Sequence, residues 1–473
     1  MQDLQRLSPS GWVCARGRLL RVSKPIPESK FHVETPPIRQ IPFVRPILEF
    51  TKLQASSGIL LITVALIAMA WANSPLSEQY FYLWKRPLVV GFDTYVFSMS
   101  FHDVISDGLM AIFFLLVGLE IKREFVMGEL STVRRAALPL MAAAGGMVVP
   151  ALIYLIFNKG LPTEGGWGIA VATDIAFTLG VITLLGNRVP LALKVFLTAF
   201  AIADDIGAVI IIALVYSNDL NLNALAAMGA ICLLLALLNI GGVRSLVPYL
   251  VLGVFLWQAT YFSGIHATVS GVLLAFFIPM NFRMRTKQFL GLVRRQLNRI
   301  ERENPSDDAP VTERRHYLLG EVERAAESAS MPLIRLEHAL HPWVSYAIMP
   351  LFALANAGVA LSGMGFEALA HPVFLGGAFG LAAGKGIGIS LFSWLAVRLG
   401  FADLPRNVTW RQLVGAGILG GIGFTMSLFI ANLGLSPEDL PEAKLGVLTA
   451  SSVAGTVGLA WLHWASRRRT TSK

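Results

Sequence analysis

Two adjacent carboxylates, Asp204 and Asp205, lie in the middle of a long apolar stretch. A charged side chain near the centre of a bilayer costs at least about 2.5–3.5 kcal/mol unless it is compensated. Because successive helix residues point about 100° apart, one carboxylate can face a hydrated cavity while the other reaches a neighbouring helix. Burial and mutual repulsion favour protonation, so the pair can hold a hard cation when ionised and release it when protonated. Carboxylate and hydroxyl oxygens suit Na⁺ or Li⁺.

Four further ionisable residues lie at membrane depth, namely Asp107, Asp174, His266 and Lys385. An ammonium group at Lys385, in the centre of an apolar run, needs a carboxylate partner or a cluster of carbonyls. Asp107 lies near the start of its stretch. His266 begins another stretch, and an imidazole that titrates near neutral pH suits a proton-responsive role.

Two apolar stretches are interrupted by glycines and polar residues. One contains Thr173 and Asp174, and the other contains Gly415-Ala-Gly-Ile-Leu-Gly-Gly-Ile-Gly-Phe-Thr-Met-Ser427. Such glycine density indicates an unwound centre that exposes backbone carbonyls and half-helix ends. Interrupted spans at corresponding places in two halves of a chain indicate an inverted-repeat transporter with its site at the membrane midplane.

The elements that must position these residues are membrane-spanning helices. The 473 residues are 55 % apolar and only 15 % charged, whereas soluble domains carry about 25 % charged residues. This composition excludes ordinary soluble enzymes, disordered chains and secreted disulfide scaffolds. At roughly 20 apolar residues per crossing, we expect twelve spans, at 57–73, 104–121, 136–157, 166–186, 190–216, 222–240, 247–262, 266–281, 340–361, 372–398, 412–434 and 445–465.

The net charge of +9 indicates topology and gives no support to a nucleic-acid partner. Of the 39 Lys and Arg residues, Lys385 lies within the membrane, and the opposite side of this topology has only Lys85, Arg86, Lys159 and Lys444. All the others fall on the side that holds both ends of the chain. The positive-inside rule therefore places both termini in the cytoplasm.

The charge and hydropathy pattern also divides the chain. Residues 1–45 are expected to form a polar, disordered cytoplasmic extension. Spans one to eight are expected in 46–281 and spans nine to twelve in 339–465. A charged, partly helical cytoplasmic loop is expected at 282–338 and a cytoplasmic tail at 466–473. Residues 87–99 alternate as a short extracellular β-hairpin does. Its exposed edge could pair with a second copy of the chain.

Several motifs together resemble the NhaA-type Na⁺/H⁺ antiporters. They are Phe113-Phe-Leu-Leu-Val-Gly-Leu-Glu-Ile-Lys-Arg-Glu124, Ala172-Thr-Asp-Ile-Ala-Phe177, Ala203-Asp-Asp-Ile-Gly-Ala208, Leu336-Glu-His-Ala-Leu-His-Pro-Trp343 and the Gly-Lys-Gly at 384–386. The similarity covers residues 46–465, apart from most of 282–330. This family is itself a standard example of inverted repeats. The resemblance implies an all-α bacterial inner-membrane protein with twelve transmembrane helices, inverted-topology repeats, two interrupted crossing helices (spans 4 and 11) and a short extracellular β-hairpin.

The resemblance also implies a role for each matching residue. Asp205 matches the principal ion-binding carboxylate, and Asp204 matches a proton-carrying or gating acid. Thr173 matches a ligand or neighbour on the unwound segment. Asp174 and Lys385 match residues that compensate the opposed half-helix ends, with Lys385 also a potential partner of Asp204. The cytoplasmic pH-sensing region matches Glu120, Arg123, Glu124, Glu337, His338 and His341, and residues 87–100 are similar to the dimerising hairpin.

The implied activity is electrogenic exchange, in which Na⁺ or Li⁺ leaves the cell and more than one proton enters. Cation and protons compete at the aspartate pair, and a six-span core (spans three to five and ten to twelve) rocks to expose the pair to either side. The expected partners are these ions, the lipid bilayer and a second copy of the chain, with no cofactor.

Two alternatives stay open at this point. A Na⁺-coupled symporter for an organic solute would need a larger cavity lined by hydrogen-bonding groups. An intramembrane aspartyl protease would need two aspartates on separate helices, which Asp174 and Asp204 could formally supply.

Overall fold

The computed structural model describes residues 12–15, 18–21, 56–92, 95–217, 220–281, 286–302, 313–361 and 364–467. The chain divides into two units, Met1–Leu53 and Gln54–Lys473. In the first unit, β1 (Trp12–Ala15) and β2 (Arg18–Arg21) pair as antiparallel strands. The expected disorder of residues 1–45 concerns positions that mostly lie outside the described residues, as does the expected tail beyond Arg467.

The second unit is helical, and a helix occupies at least part of each of the twelve ranges expected to span. In chain order the helices are α1 (Ser56–Ala72), α2 (Ser77–Lys85), α3 (Phe101–Met127), α4 (Val133–Asn158), α5 (Ile175–Thr183), α6 (Leu191–Val215), α7 (Leu222–Ile240), α8 (Val247–Phe262), α9 (Val269–Phe277), α10 (Thr286–Arg302), α11 (Glu313–Ala329), α12 (332–356), α13 (Pro372–Arg398), α14 (Trp410–Leu419), α15 (Phe424–Gly434) and α16 (Leu440–Arg467).

The helices identify a multi-pass membrane protein. Within the described residues, seven helices are long and apolar enough to cross a membrane, or up to nine if each of two bent pairs forms one span. Helix α9 has only nine residues, fewer than the roughly 20 that a bilayer requires. Twelve crossings and the inverted repeat therefore stay predictions. Large apolar side chains on the bundle surface, such as Leu66, Ile156, Leu214 and Ile240, are exposed, as lipid contact requires.

Both interrupted spans are broken at their centres, as their glycines predict. The fourth consists of a 3₁₀ helix (Pro162–Ala170), a non-helical stretch at 171–174 and α5. In the eleventh, α14 and α15 meet at a 48° bend. A Cβ atom on Gly423 would lie 3.1 Å from the backbone oxygen of Ala172. Glycine at this position therefore lets the two breaks cross in close contact.

The helix of the expected ninth span, α12, begins earlier than expected, at Pro332 instead of residue 340. A proline is well accommodated in the first turn of a helix, where its missing N–H has no intrahelical partner. As a result, Glu337, His338 and His341 lie within α12 and not before it. Residues 344–348 of α12 form a π-helical turn.

The predicted hairpin at 87–99 is confirmed as β3 (Pro87–Phe92) paired antiparallel with β4 (Tyr95–Ser100). Ser100 also caps α3, because its hydroxyl accepts a hydrogen bond from the N–H of Asp103 at 3.1 Å. The Asp103 carboxylate accepts in return from the N–H of Ser100 at 3.4 Å. This capping box joins the hairpin directly to α3.

The charged loop between α9 and α12 contains α10 and α11. Gln296 on α10 donates a hydrogen bond to the Glu321 carboxylate on α11 at 2.5 Å. Leu318 and Ala325 of α11 are buried. Residues 303–312, between these two helices, lie outside the described residues.

Candidate ion-binding site

The adjacent carboxylates of α6 have different surroundings. Both side chains are buried, at 0 % exposure for Asp204 and 1 % for Asp205. Asp204 Oδ2 accepts a 2.6 Å hydrogen bond from the Nζ of Lys385, which is itself fully buried on α13. Asp205 instead lines a cavity of about 430 Å³, which we call the ion cavity. This is the divergence expected from the 100° helical step.

Each of these aspartates keeps one buried oxygen with no hydrogen-bond partner among the described residues, Oδ1 in both cases. A buried polar group left unpaired costs about 1–3 kcal/mol, and a charged group costs more. Such a group in a native protein has an explanation in local strain, a catalytic role, or a bound water or ion. Because Asp205 lines the ion cavity, its carboxylate is accessible to an ion that enters there.

Asp174 lies between the N-termini of two half-helices. It is the N-cap of α5, and its Oδ1 accepts from the N–H of Phe177 at 2.9 Å. Its Oδ2 accepts from the N–H of Thr425, in the first turn of α15, at 3.2 Å, and from the Thr425 hydroxyl. A helix N-terminus carries a partial positive charge of roughly half a unit. One carboxylate thus contacts both positive helix ends, which is the arrangement that the resemblance implies for Asp174.

The opposite helix end meets hydroxyl groups. Thr173 donates to the carbonyl of Gly420 at 2.8 Å, and Thr178 donates to the carbonyl of Leu419 at 3.3 Å. These carbonyls, at the C-terminal end of α14, are among those that helix geometry leaves without an intrahelical partner. Thr173 also lies beside Asp204. The crossing therefore brings Thr173, Asp204 and Lys385 together, while the Thr173 hydroxyl is oriented by α14.

Five of the six residues matched to the pH-sensing region line the ion cavity with Asp205, namely Glu120, Arg123, Glu337, His338 and His341. Arg123 Nη1 lies 2.9 Å from Glu337 Oε1. Glu337 is 5 % exposed, and its Oε2 has no hydrogen-bond partner among the described residues. The ion cavity therefore brings four titratable side chains and one arginine together with Asp205.

Glu124, the sixth residue matched to the pH-sensing region, does not line the ion cavity. Its Oε1 accepts a 2.6 Å hydrogen bond from the N–H of Glu129. The chain turns at Gly128, directly after α3, and this turn brings that N–H back to the Glu124 carboxylate. The Glu124 side chain therefore stabilises the turn that follows α3.

Asp107 and His266, which the sequence gives no reason to connect, are partners. Asp107 Oδ1 lies 3.3 Å from His266 Nε2. His266 lies in the turn that precedes α9, and its Nδ1 is 2.8 Å from the Thr268 hydroxyl. Asp107 belongs to a π-helical turn of α3 at Val104–Leu109. Neither side chain lines the ion cavity.

An aromatic cluster on α15 was not predicted. Phe429 is fully buried. Its ring centroid lies 5.6 Å from Phe114 of α3, 6.1 Å from Phe352 of α12 and 5.3 Å from the His266 ring. Each of these partners belongs to an element outside the six-span core, whereas α15 belongs to the core.

One turn further along α15, a second contact joins three polar side chains from three different helices. Asn432 donates a 2.6 Å hydrogen bond to Asn356 Oδ1, and His102 Nε2 lies 3.0 Å from the same oxygen. Asn356 ends α12, about 28 Å along that helix from Glu337. We call Phe429, Asn432 and the residues that they contact the seal. The only feature of the sequence that could have indicated this contact is the single asparagine in each of the two helices, Asn432 in α15 and Asn356 in α12.

Comparison with known proteins gives consistent matches. The family described as Na⁺/H⁺ antiporter 1 matches residues 48–462. The chain is 45 % identical over 429 residues to the Na⁺/H⁺ antiporter NhaA of Syntrophobacter fumaroxidans, covering 89 % of this chain and 91 % of that protein. It is 47 % identical over 431 residues to the NhaA of Oleidesulfovibrio alaskensis, covering 90 % and 96 %. The NhaA of Koribacter versatilis is 46 % identical over 417 residues, with 88 % and 90 % covered.

Proposed function

The chain belongs to the Na⁺/H⁺ antiporter 1 family, and from that premise we propose that it is a sodium/proton antiporter that exports Na⁺ or Li⁺ in exchange for protons. The observation that carries the proposal is Asp205, buried yet on the wall of a cavity, with one oxygen that has no hydrogen-bond partner among the described residues. An ionised carboxylate in such surroundings binds a hard cation, and a protonated one does not.

Competition at one group couples the two fluxes. A cation held by Asp205 must leave when the carboxylate gains a proton, because the negative charge that attracts it is then lost. The Asp204–Lys385 pair supplies a second proton site. If Asp204 turns towards the cation, Lys385 loses its partner, and a buried ammonium without a partner releases its proton. Two protons then exchange for one cation, and transport moves net charge.

Alternating access requires the site to be open to one side at a time. The ion cavity reaches Asp205 from the end of the bundle that carries Glu337 and His338. The seal lies at the other end of α12 and α3. We propose that the core formed by α4–α6 and α13–α16 rocks against the remaining helices. Opening to the second side then requires Phe429 to leave its aromatic contacts and Asn432 to release Asn356.

The finer features of the proposal follow the same geometry. The five cavity residues that include the Arg123–Glu337 pair are assigned to pH regulation, because they line the same cavity as Asp205 and their protonation changes the charge around it. The protein is assigned to the bacterial inner membrane with both termini cytoplasmic. Pairing of copies is assigned to the β3–β4 hairpin, where the side chains of Leu88 and Val89 are exposed. No cofactor is assigned.

The geometry disfavours the protease alternative. Asp204 is engaged by Lys385, and Asp174 is engaged by Phe177 and Thr425 at the half-helix ends. A catalytic dyad requires two carboxylates that share one proton. Peptide cleavage by the purified protein would restore the alternative. A solute symporter would be restored if Na⁺ flux required an organic solute.

The decisive experiment is Na⁺/H⁺ exchange in proteoliposomes with an imposed pH gradient. We expect Na⁺ flux that needs no organic solute, and we expect Asp205→Asn to abolish it. The matched control is Glu438→Gln, which removes one carboxylate from an exposed position and should keep the wild-type rate. Full exchange by Asp205→Asn would overturn the site, and a wild-type protein with no gradient-driven Na⁺ flux would overturn the antiport itself.

A further inference from the structure

A second cavity, of about 670 Å³, shares no lining residue with the ion cavity and lies between the first turns of α4 and α6 and the turn 403–406. The proposed exchange does not use it. Its rim carries three arginines and two carboxylates, namely Arg134, Arg135, Arg406, Glu129 and Asp403. Its wall is apolar and includes Leu138, Leu191, Val195, Phe196 and Ala199. We call it the arginine-rimmed cavity.

The rim has a net positive charge. Arg134 Nη2 lies 3.0 Å from Asp403 Oδ2, so one arginine is matched by one carboxylate. The remaining two arginines, Arg135 and Arg406, are balanced by one further carboxylate, Glu129, and both arginine side chains are exposed. A guanidinium group presents a planar set of N–H donors that fits phosphate oxygens. The rim therefore favours an anion of phosphate type.

The wall requires an apolar component in the same ligand. Leu191 is 75 % exposed and Val195 is 39 % exposed on the first turns of α6, a helix that crosses the membrane. These side chains face hydrocarbon once the helix is inserted, so the cavity is continuous with the lipid phase. A soluble phosphate would use the rim and leave this wall uncovered. An amphipathic anion uses both.

We propose that the arginine-rimmed cavity binds one anionic phospholipid, with the phosphodiester held by Arg135 and Arg406 and an acyl chain against Leu191 and Val195. The site joins α4, α6 and the turn that connects α13 to α14, all of which belong to the core. Bound lipid therefore stabilises the end of the core that carries these arginines. The proposal depends on membrane insertion and does not depend on which ions the protein exchanges.

The test is thermal unfolding of the purified full-length protein titrated with phosphatidylglycerol or with phosphatidylcholine of the same chains. Phosphatidylglycerol should raise Tm saturably, and phosphatidylcholine should raise it much less. The R135Q/R406Q double variant should need at least fivefold more phosphatidylglycerol for the half-maximal shift, whereas R135K/R406K should retain part of the response. Arg398→Gln, at the end of α13 and outside the cavity lining, is the matched control and should respond as wild type.

A second variant covers a failure of the arginine variants to fold. Val195→Trp fills the apolar wall, leaves every arginine in place, and should also weaken the phosphatidylglycerol response. Equal stabilisation by phosphatidylcholine, or an unchanged response in both R135Q/R406Q and Val195→Trp, would overturn the lipid site. A full Tm shift with inorganic phosphate or glycerol 3-phosphate alone would identify a soluble anion as the ligand and would also overturn it.

Discussion

The side-chain amide of Asn432 donates a 2.6 Å hydrogen bond to Asn356, and this bond connects a half-helix of the core to the end of α12. The Asn356 oxygen can only accept, so the His102 Nε2 that lies 3.0 Å away must carry a proton to donate. Two donors on one oxygen hold Asn356 in a single orientation. The bond lies in the seal, which must open whenever the site faces the second side.

Asn432→Ala should shift the conformational equilibrium towards the state that is closed at the ion cavity. A hydrogen bond contributes about 1 kcal/mol net, so we expect a shift of about fivefold. Ile202 lines the ion cavity, so the rate at which a membrane-impermeant maleimide labels Ile202→Cys, in a background without Cys14 and Cys232, reports the open population. Labelling should slow in Asn432→Ala. Asn239→Ala, which removes an asparagine bonded to the Phe277 carbonyl on another helix, should leave the rate unchanged, and an unchanged rate in Asn432→Ala would contradict the role of the bond.

Lys385→Met should destabilise the protein strongly. Removing one partner of a buried ion pair leaves an uncompensated charge and costs about 3–5 kcal/mol, and both members of the Lys385–Asp204 pair are 0 % exposed. The double variant Asp204→Asn/Lys385→Met should recover most of that loss. A double-mutant cycle on thermal unfolding measures the coupling. Additive effects of the two single substitutions would show that the pair is not an energetic unit.

Thr425→Val should weaken the crossing of the two broken spans. The substitution removes the hydroxyl that donates to Asp174 and keeps the backbone N–H that donates to the same oxygen. We expect a loss of about 1–3 kcal/mol because a buried carboxylate loses a donor, together with slower exchange. Thr183→Val is the control, since among the described residues that hydroxyl bonds only to the Leu179 carbonyl of its own helix. Equal effects of the two variants would show that the hydroxyl bond to Asp174 contributes no more to stability or exchange than a hydroxyl bond within one helix.

Gly423→Ala should disrupt transport more than Gly455→Ala. The added methyl group at Gly423 would collide first with the Ser427 hydroxyl, which donates to the Ile169 carbonyl of the other broken span, and would also lie 2.9 Å from the Leu381 side chain and 3.1 Å from the Ala172 carbonyl oxygen. At Gly455 the nearest atom is the Ile422 side chain, at an ordinary 3.7 Å. Exchange rates in proteoliposomes, normalised to folded protein, compare the two variants. Exchange at the wild-type rate in both variants would contradict the prediction, because it would show that the two broken spans can separate enough to hold the extra methyl group.

Features that depend on neighbouring residues could be predicted from the sequence, whereas contacts between residues far apart in the sequence could not. The divergence of Asp204 and Asp205 follows from local helix geometry, and the broken spans follow from local glycine density. The need for a partner at Lys385 follows from the cost of a buried charge. The seal was not predictable, because Phe429 meets Phe114 only through the relative placement of helices more than 300 residues apart. The pairing of Asp107 with His266 has the same origin.

The capping box of Ser100 and Asp103 gives the hairpin a mechanical role. His102 lies between these two residues, so the backbone clamp that ends β4 also fixes the imidazole that reaches Asn356. If two copies pair through their hairpins, the pairing also fixes the segment of each copy that carries His102 and contacts Asn356 of the same copy. The dimer then acts as a frame against which each core swings separately. Loosening that frame would slow exchange without altering a single ion-binding residue.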